Sequence, residues 1–165
     1  MPRSTHATDS TSTRHTRVGN DEEKAGTARL RMELRFRDLD SLGHVSHSVY
    51  HDFLAEARVA VLSSLTSAGH TQFVLAHVEL DHRHEIRHDE GFAEVVATLT
   101  AVGRSSVAIA HEVLLPDGTV AAEGSSVLVR WDPQARASRE FTEAEREKLS
   151  ASLPSEQQPD RDGGG

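Results

Sequence analysis

The stretch Arg37-Asp38-Leu39-Asp40-Ser41-Leu42-Gly43-His44-Val45-Ser46-His47-Ser48-Val49-Tyr50, running on to Glu56-Ala57-Arg58, joins two different periodicities. Before it, Leu30 to Phe36 reads Leu-Arg-Met-Glu-Leu-Arg-Phe, a strict apolar/polar alternation that predicts a half-buried strand. After it, Tyr50, Leu54, Ala57, Val61 and Leu65 recur at three- and four-residue spacing, which is one face of a helix. Ser46 and Ser48, good N-cap types, stand just ahead of that pattern. The junction brings two carboxylates, Asp38 and Asp40, and a permissive Gly43 to the start of a helix. The first N–H groups of a helix lack intrahelical partners and carry the positive end of its dipole. A carboxylate beside N–H groups able to hold an oxyanion supplies the two parts that acyl transfer requires.

Asp38-Leu39-Asp40-Ser41-Leu42-Gly43-His44-Val45, then Tyr50, then Glu56-Ala57-Arg58, resembles the signature of hotdog-fold thioesterases of the 4-hydroxybenzoyl-CoA thioesterase family. The family pattern is Asp-x-Asp-x-x-Gly-His-Val-Asn-Asn-x-x-Tyr followed by Glu-x-Ala-Arg. A weaker likeness extends from about Leu30 to about Trp131. The resemblance implies that Asp40 is the nucleophile or general base toward a thioester, a role on the order of 10² to 10⁴ in rate. It implies that Asp38 holds the loop through backbone N–H groups, that Gly43 is the motif glycine, and that the backbone N–H at His47 polarises the thioester carbonyl. The family's Asn-Asn is Ser46-His47 here. Backbone donors survive that change, side-chain amide contacts do not, and the His47 ring becomes a further candidate to protonate the leaving thiolate or contact the substrate.

Outward from this stretch, the ends thin out. Residues 1–27 and 151–165 are rich in small polar and charged residues with almost no large apolar side chain, and they read as disordered tails flanking one domain, residues 28–150. No apolar run approaches membrane-spanning length, and Arg3 is followed by no apolar signal segment, which is the expectation for a cytoplasmic protein. The chain has no cysteine, so disulfides and a thiol nucleophile are excluded. A formal net charge of -8 argues against a nucleic-acid partner.

The helix, predicted from about Ser48 to Ser67, has a second apolar stripe in Val49, Phe53 and Ala60, so a sheet should wrap it. A long strand is predicted from Phe73 to Ile86, with Val78, Leu80, His82, His84 and Ile86 on one face. Strands follow over Phe92–Ala101, Ser106–Leu115 and Thr119–Trp131, joined by short turns, of which Pro116-Asp117-Gly118 is the strongest. Thr142-Glu143-Ala144-Glu145 opens a short final helix with a capping-box pattern. Only one crossover helix is present, which disfavours a doubly wound parallel sheet. The fold class is α+β: a five-stranded antiparallel sheet curled round one long helix, as the hotdog resemblance also implies. Such a sheet has two edges to cover, and relatives of this kind are homodimers or dimer-built tetramers.

Arg104 and Ser105 fall in the turn that carries basic residues for coenzyme A phosphates in the related enzymes, and arginine suits phosphate. Arg83 and Arg87 are weaker candidates for the same contact. Tyr50 and Val78 are expected to contact the substrate, and the depth of its pocket depends on how Phe53, Ala57, Val78 and Leu80 pack. Glu56 is a possible second carboxylate, although a salt bridge with Arg58 or with a neighbouring strand is the plainer role. His82 and His84, with His88 beyond, have a spacing seen in metal sites, but no third ligand falls at a standard interval. No metal or redox cofactor is expected. The resemblance thus implies an acyl-CoA or acyl-carrier-protein thioesterase. Two alternatives stay open: a hotdog enoyl-thioester hydratase or dehydratase using His44 or His47, and a non-catalytic acyl-thioester binding module.

Overall fold

The computed structural model describes residues 15–17, 25–66 and 72–154. In chain order these form β1 (His15–Arg17), β2 (Thr27–Glu33), α1 (His47–Leu65), β3 (Phe73–His82), β4 (Phe92–Val102), β5 (Ser106–Leu114), β6 (Val120–Asp132), β7 (Ala137–Ser138) and α2 (Glu143–Ala151). All pairings are antiparallel, in the order β1-β2-β4-β5-β6-β3, with β7 added beside β6. The connection through α1 carries the chain from β2 across to β3 on the far side of the sheet.

Two layers make the core. Ala28, Leu30 and Met32 of β2 alternate inward, as do Ala93, Val95, Ala97 and Leu99 of β4 and Val107, Ile109 and Val113 of β5. Against them α1 buries the expected Tyr50, Leu54, Ala57, Val61 and Leu65, together with Val49, Phe53 and Leu62. Such breadth follows from a helix packed over the concave side of a sheet, where α1 lies mainly on β2 and β4. At the other end of the chain, the capping box forms as read: Glu145 N donates to Thr142 Oγ1 (3.3 Å) and Thr142 N to Glu145 Oε2 (2.9 Å). Glu145 also pairs with the buried Arg130 at 2.7 Å, fastening α2 to β6.

Several sequence expectations change. Among the described residues the sheet has seven strands, not five, because β1 and β7 are three- and two-residue additions too short to show a period. β1 lies inside the stretch expected to be a disordered tail; residues 1–14, 18–24 and 155–165 of the two expected tails lie outside the described residues. The first strand ends at Glu33 rather than Phe36. There Arg35 N donates to Asp38 Oδ2 at 2.9 Å, and this local bond draws Phe36–Asp38 into a 3₁₀ turn. Phe36 is left 84% exposed, against its place in the alternation. β3 ends at His82, not Ile86. Arg83 N and His84 N both donate to Ala121 O, at 2.8 and 3.0 Å, so the ladder stops advancing and the chain turns off the sheet. Among the described residues, no helix is long and apolar enough to cross a membrane.

Candidate active site

The Asp40 loop is built by backbone bonds that its own carboxylates direct. Asp38 is buried, and its main-chain O accepts from Ser46 N at 2.8 Å. Its side chain holds Arg35 N, so Asp38 is part of the loop's frame, as the resemblance implies. Asp40 is exposed. Its Oδ1 accepts from Leu42 N (2.8 Å) and His44 N (3.1 Å), while Gly43 N donates to Asp40 O (3.1 Å). Gly43 closes this turn at φ 81°, a conformation that disfavours any side chain. Asp38 is buried and Asp40 exposed, on a stretch where the strand has already ended at Glu33.

Those backbone donors, His44 N first and Leu42 N next, hold the Asp40 carboxyl below its ordinary value, and the nearby His44 and His47 rings act in the same direction. Asp40 is therefore an anion across the neutral range. Immediately beyond it α1 begins. Ser46 is the N-cap but makes no side-chain cap; its hydroxyl instead pairs with Ser48 Oγ at 3.2 Å. The N–H groups of His47 and Ser48 are thus left without a side-chain cap from Ser46.

A second segment closes the cleft. Val45 N donates to Ile86 O at 2.8 Å and His44 bridges Arg87, so the chain leaving β3 is tied to the Asp40 loop. The resulting cleft has a volume of about 290 Å³. Asp40, Leu42, His44, Val45, His47 and Tyr50 line one side, and His82 to Glu85 the other. His82 stacks on His47, with 4.5 Å between ring centroids, and meets Tyr50 edge-on at 4.6 Å. Burial pushes the Tyr50 hydroxyl up to about 12, so it stays a donor. Burial lowers His82, with His47 and His51 adding to the shift, so its ring favours the neutral form.

Of the residues singled out in the sequence, Asp40, His47 and Tyr50 meet in this cleft, with Gly43 shaping the loop. Arg104 and Ser105 do lie in the β4–β5 turn, but at the opposite end of β4 from the cleft. The cleft end is marked by Leu34 N bonding Gly91 O. The eleven residues of β4 intervene, more than 30 Å at about 3.3 Å per residue. Arg104 is exposed and pairs with Glu140 at 3.2 Å. Val78 is half-buried in the middle of β3, opposite Ser126, and does not line this cleft. Arg83 does line it, with Glu123 (2.8 Å) and Asp81 (3.5 Å) as partners. Arg58 makes no pair with Glu56; it turns inward to Ser126.

Sequence reasoning missed the stacking role of His82 and the approach of Glu85, whose Oε2 lies 3.9 Å from His44 Nε2. Their strand periodicity was legible, but not the turn after His82 that brings them to the loop. Among the described residues, no group of three or more His, Asp or Glu side chains is placed to hold a metal ion.

A curled antiparallel sheet packed on a long helix, with an anionic aspartate at that helix's start, defines a hotdog-like protein of the thioester-handling class. Residues 34–157 match the Thioesterase-like superfamily, and the chain belongs to it. Solved structures agree. A Thermus thermophilus thioesterase complexed with coenzyme A and Zn is 32% identical, with 73% of this chain and 95% of that one covered and a TM-score of 0.62. The DHNA-CoA thioesterase of Staphylococcus aureus, at 16% identity, shares the fold with a TM-score of 0.66 over 76% of this chain and 89% of its own. YbaW of Escherichia coli, at 23% identity, likewise gives 0.66 over 76% and 98%. A comparison with curated proteins returns no match.

Proposed function

We propose that the protein hydrolyses an acyl-CoA thioester to the free acid and the thiol. The observation that carries this reading is Asp40: an exposed carboxylate, kept anionic by His44 N and Leu42 N, beside the start of α1. The thioester carbonyl oxygen would sit on the N–H of His47, where negative charge develops as the carbonyl is attacked; one such donor is worth roughly 10² to 10³ in rate. Asp40 either draws a proton from the attacking water or adds to the carbonyl itself. In both routes the carbon–sulfur bond breaks as the oxyanion collapses and the departing thiolate takes a proton, which the His47 ring would supply; in the second, water then hydrolyses the mixed anhydride on Asp40 and frees the acid. Coenzyme A as carrier is supported by the Thermus thermophilus relative that holds it. Its phosphates would meet Arg83 at the rim of the cleft, in preference to Arg104 of the same chain.

The same reading extends to assembly. β3 is ten residues long and, among the described residues, pairs on one side only, with β6. Val74 and Leu75 stand exposed on it, at 40% and 46%. An unpaired edge of that length is a template for another strand, and pairing β3 with β3 of a second copy gives a homodimer.

Thiol release from a panel of acyl-CoA esters tests the activity, with a thiol-reactive dye that the cysteine-free protein does not itself consume. The expected result is turnover that collapses in Asp40→Asn with folding intact. Turnover that persists in Asp40→Asn moves the base to another group. Hydration of an enoyl-CoA without thiol release, or binding of an uncleaved ester without any turnover, assigns the chain to one of the two alternative classes.

A further inference from the structure

Midway along α1, Arg58 enters the interior. The residue is 8% exposed, and its Nη1 donates to Ser126 Oγ on β6 at 3.2 Å. Ser126 is fully buried and also bonds His111 Nε2 on β5, at 2.9 Å. His111 Nδ1 is sealed from solvent with no partner. Either tautomer leaves this cluster at least one bond short. If Ser126 donates to Nε2, Nδ1 carries an unpaired N–H. If Nε2 donates to Ser126, Nδ1 is an unpaired acceptor and the hydroxyl proton has no receiver.

Charge is unbalanced as well. Burial, with Arg58 adding to it, pushes His111 down to about 4, so the ring is neutral near pH 7. Among the described residues, no carboxylate lies within ion-pair distance of Arg58. A buried charge without a counterion is costly, and groups perturbed by burial are enriched at functional sites. Nη1 is the guanidinium nitrogen that has a partner; the others, unlike His111 Nδ1, are not sealed from solvent. A guanidinium presents paired N–H donors in the geometry of a carboxylate.

Position adds a third argument. α1 lies mainly over β2 and β4, whereas this cluster is on β5 and β6, and Ser126 stands directly opposite Val78 of β3. Val78 and Leu80 are only half covered there. Arg58 follows His47 by eleven residues, about 16 Å of helix rise. Helical side chains lean toward the helix N-terminus, which for Arg58 is the direction of Asp40.

We infer that Arg58, fixed in direction by Ser126 with His111 behind it, receives a carboxylate at the far end of the acyl group, so that the substrate is an ω-carboxyacyl thioester. This rests on the reading of Asp40 as the thioester-cleaving group. Arg58 is a specificity residue in this scheme. It anchors the distal acid while the thioester lies at the start of the same helix, and Ser126 is a positioning residue for it.

The test uses coenzyme A thioethers, which cannot be cleaved, in two matched series of graded length: S-(ω-carboxyalkyl) and S-alkyl. Calorimetry on the full chain should show the carboxylated ligand binding at least about tenfold tighter at one range of lengths, the scale of a charged hydrogen-bonded contact. Arg58→Met should abolish that preference, Arg58→Lys keep part of it, and Ser126→Ala reduce it. Equal binding of the two series by the native protein overturns the inference, as does a preference that survives Arg58→Met. Should Arg58→Met fail to fold, the native comparison and Arg58→Lys decide. A change of oligomeric state in Arg58→Met, with no ligand preference in the native protein, assigns Arg58 to a contact between copies and also overturns it. Turnover of the matching thioesters separates the two readings. Carboxylate preference in binding without thiol release leaves Arg58 in place and removes the hydrolase; thiol release without preference does the reverse.

Discussion

The rings of His47 and His82 lie stacked, 4.5 Å between centroids and 18° from parallel, and so clamp the start of α1 to the end of β3. Two cationic rings at that distance would repel. Burial lowers His82, and His47 and His51 lower it further, which keeps the His82 ring uncharged at neutral pH. Below its ordinary value the unfolded chain binds a proton that the folded chain resists, so this contribution is complete above about pH 6.5 and is lost as pH falls. The expected outcome is a mild-acid decline in kcat/KM that His82→Phe, which keeps a stacking ring, removes. A pH–rate profile of the two proteins checks this, and an unchanged decline in His82→Phe would sink the idea.

Asp38 and Asp40 should separate cleanly by mutation. Asp38 is 2% exposed and holds Arg35 N, so Asp38→Ala is expected to lower stability by about 1–3 kcal/mol, the cost of leaving buried groups unpaired. Asp40→Asn is expected to leave the melting temperature nearly unchanged and to lower kcat by on the order of 10² to 10⁴. Thermal melts beside thiol-release assays read both, and a stable, inactive Asp38→Ala would reverse the assignment.

The pH dependence of Asp40 carries a sign of its own. Its value is lowered on folding by His44 N and Leu42 N, so the Asp40 anion persists as pH falls below the ordinary aspartate value. The Asp40-dependent acid limb of kcat/KM should therefore lie below about pH 3.9, to the extent that the fold survives there. A limb near pH 5 to 6 in His82→Phe, where the histidine contribution is gone, would point to a different base.

His111 makes a larger contribution to stability. It lies near 4 when folded, against about 6.5 unfolded, so the unfolded chain takes up the proton first. Stability is full above pH 6.5 and should fall between about pH 6.5 and 4, by on the order of 3 kcal/mol in all. Urea unfolding at a series of pH values should show that slope in the native protein and a flatter one in His111→Gln. Identical slopes in the two would contradict the assignment.

The exposed edge predicts an assembly. Leu75→Lys on β3 should convert a dimer to a monomer in sedimentation, since a lysine at an edge strand blocks pairing. A native protein that sediments as a monomer at tens of micromolar (roughly) would rule out β3 pairing as the assembly mode.

Much of this molecule was legible along the chain. Alternation placed β2 and most of β3, short turns bounded β4, β5 and β6, the three- and four-residue spacing placed α1, and Thr142 with Glu145 marked the start of α2. These patterns are local: each reports one face buried against something, whatever that something is. The motif from Asp38 to Tyr50 likewise announced a loop whose carboxylates bond their own neighbours' N–H groups, because those bonds span only two to four residues. Tertiary structure alone decided what meets that loop. The ladder stalled at Ala121 O ends β3 and swings His82 to Glu85 against residues some forty positions earlier. The same long-range pairing carried Arg104 to the opposite end of β4, and set Arg58 of the helix on Ser126, sixty-eight residues away. Periodicity says which residues turn inward; which of them then touch depends on strand order and on where each ladder stops, and neither is written in any single stretch.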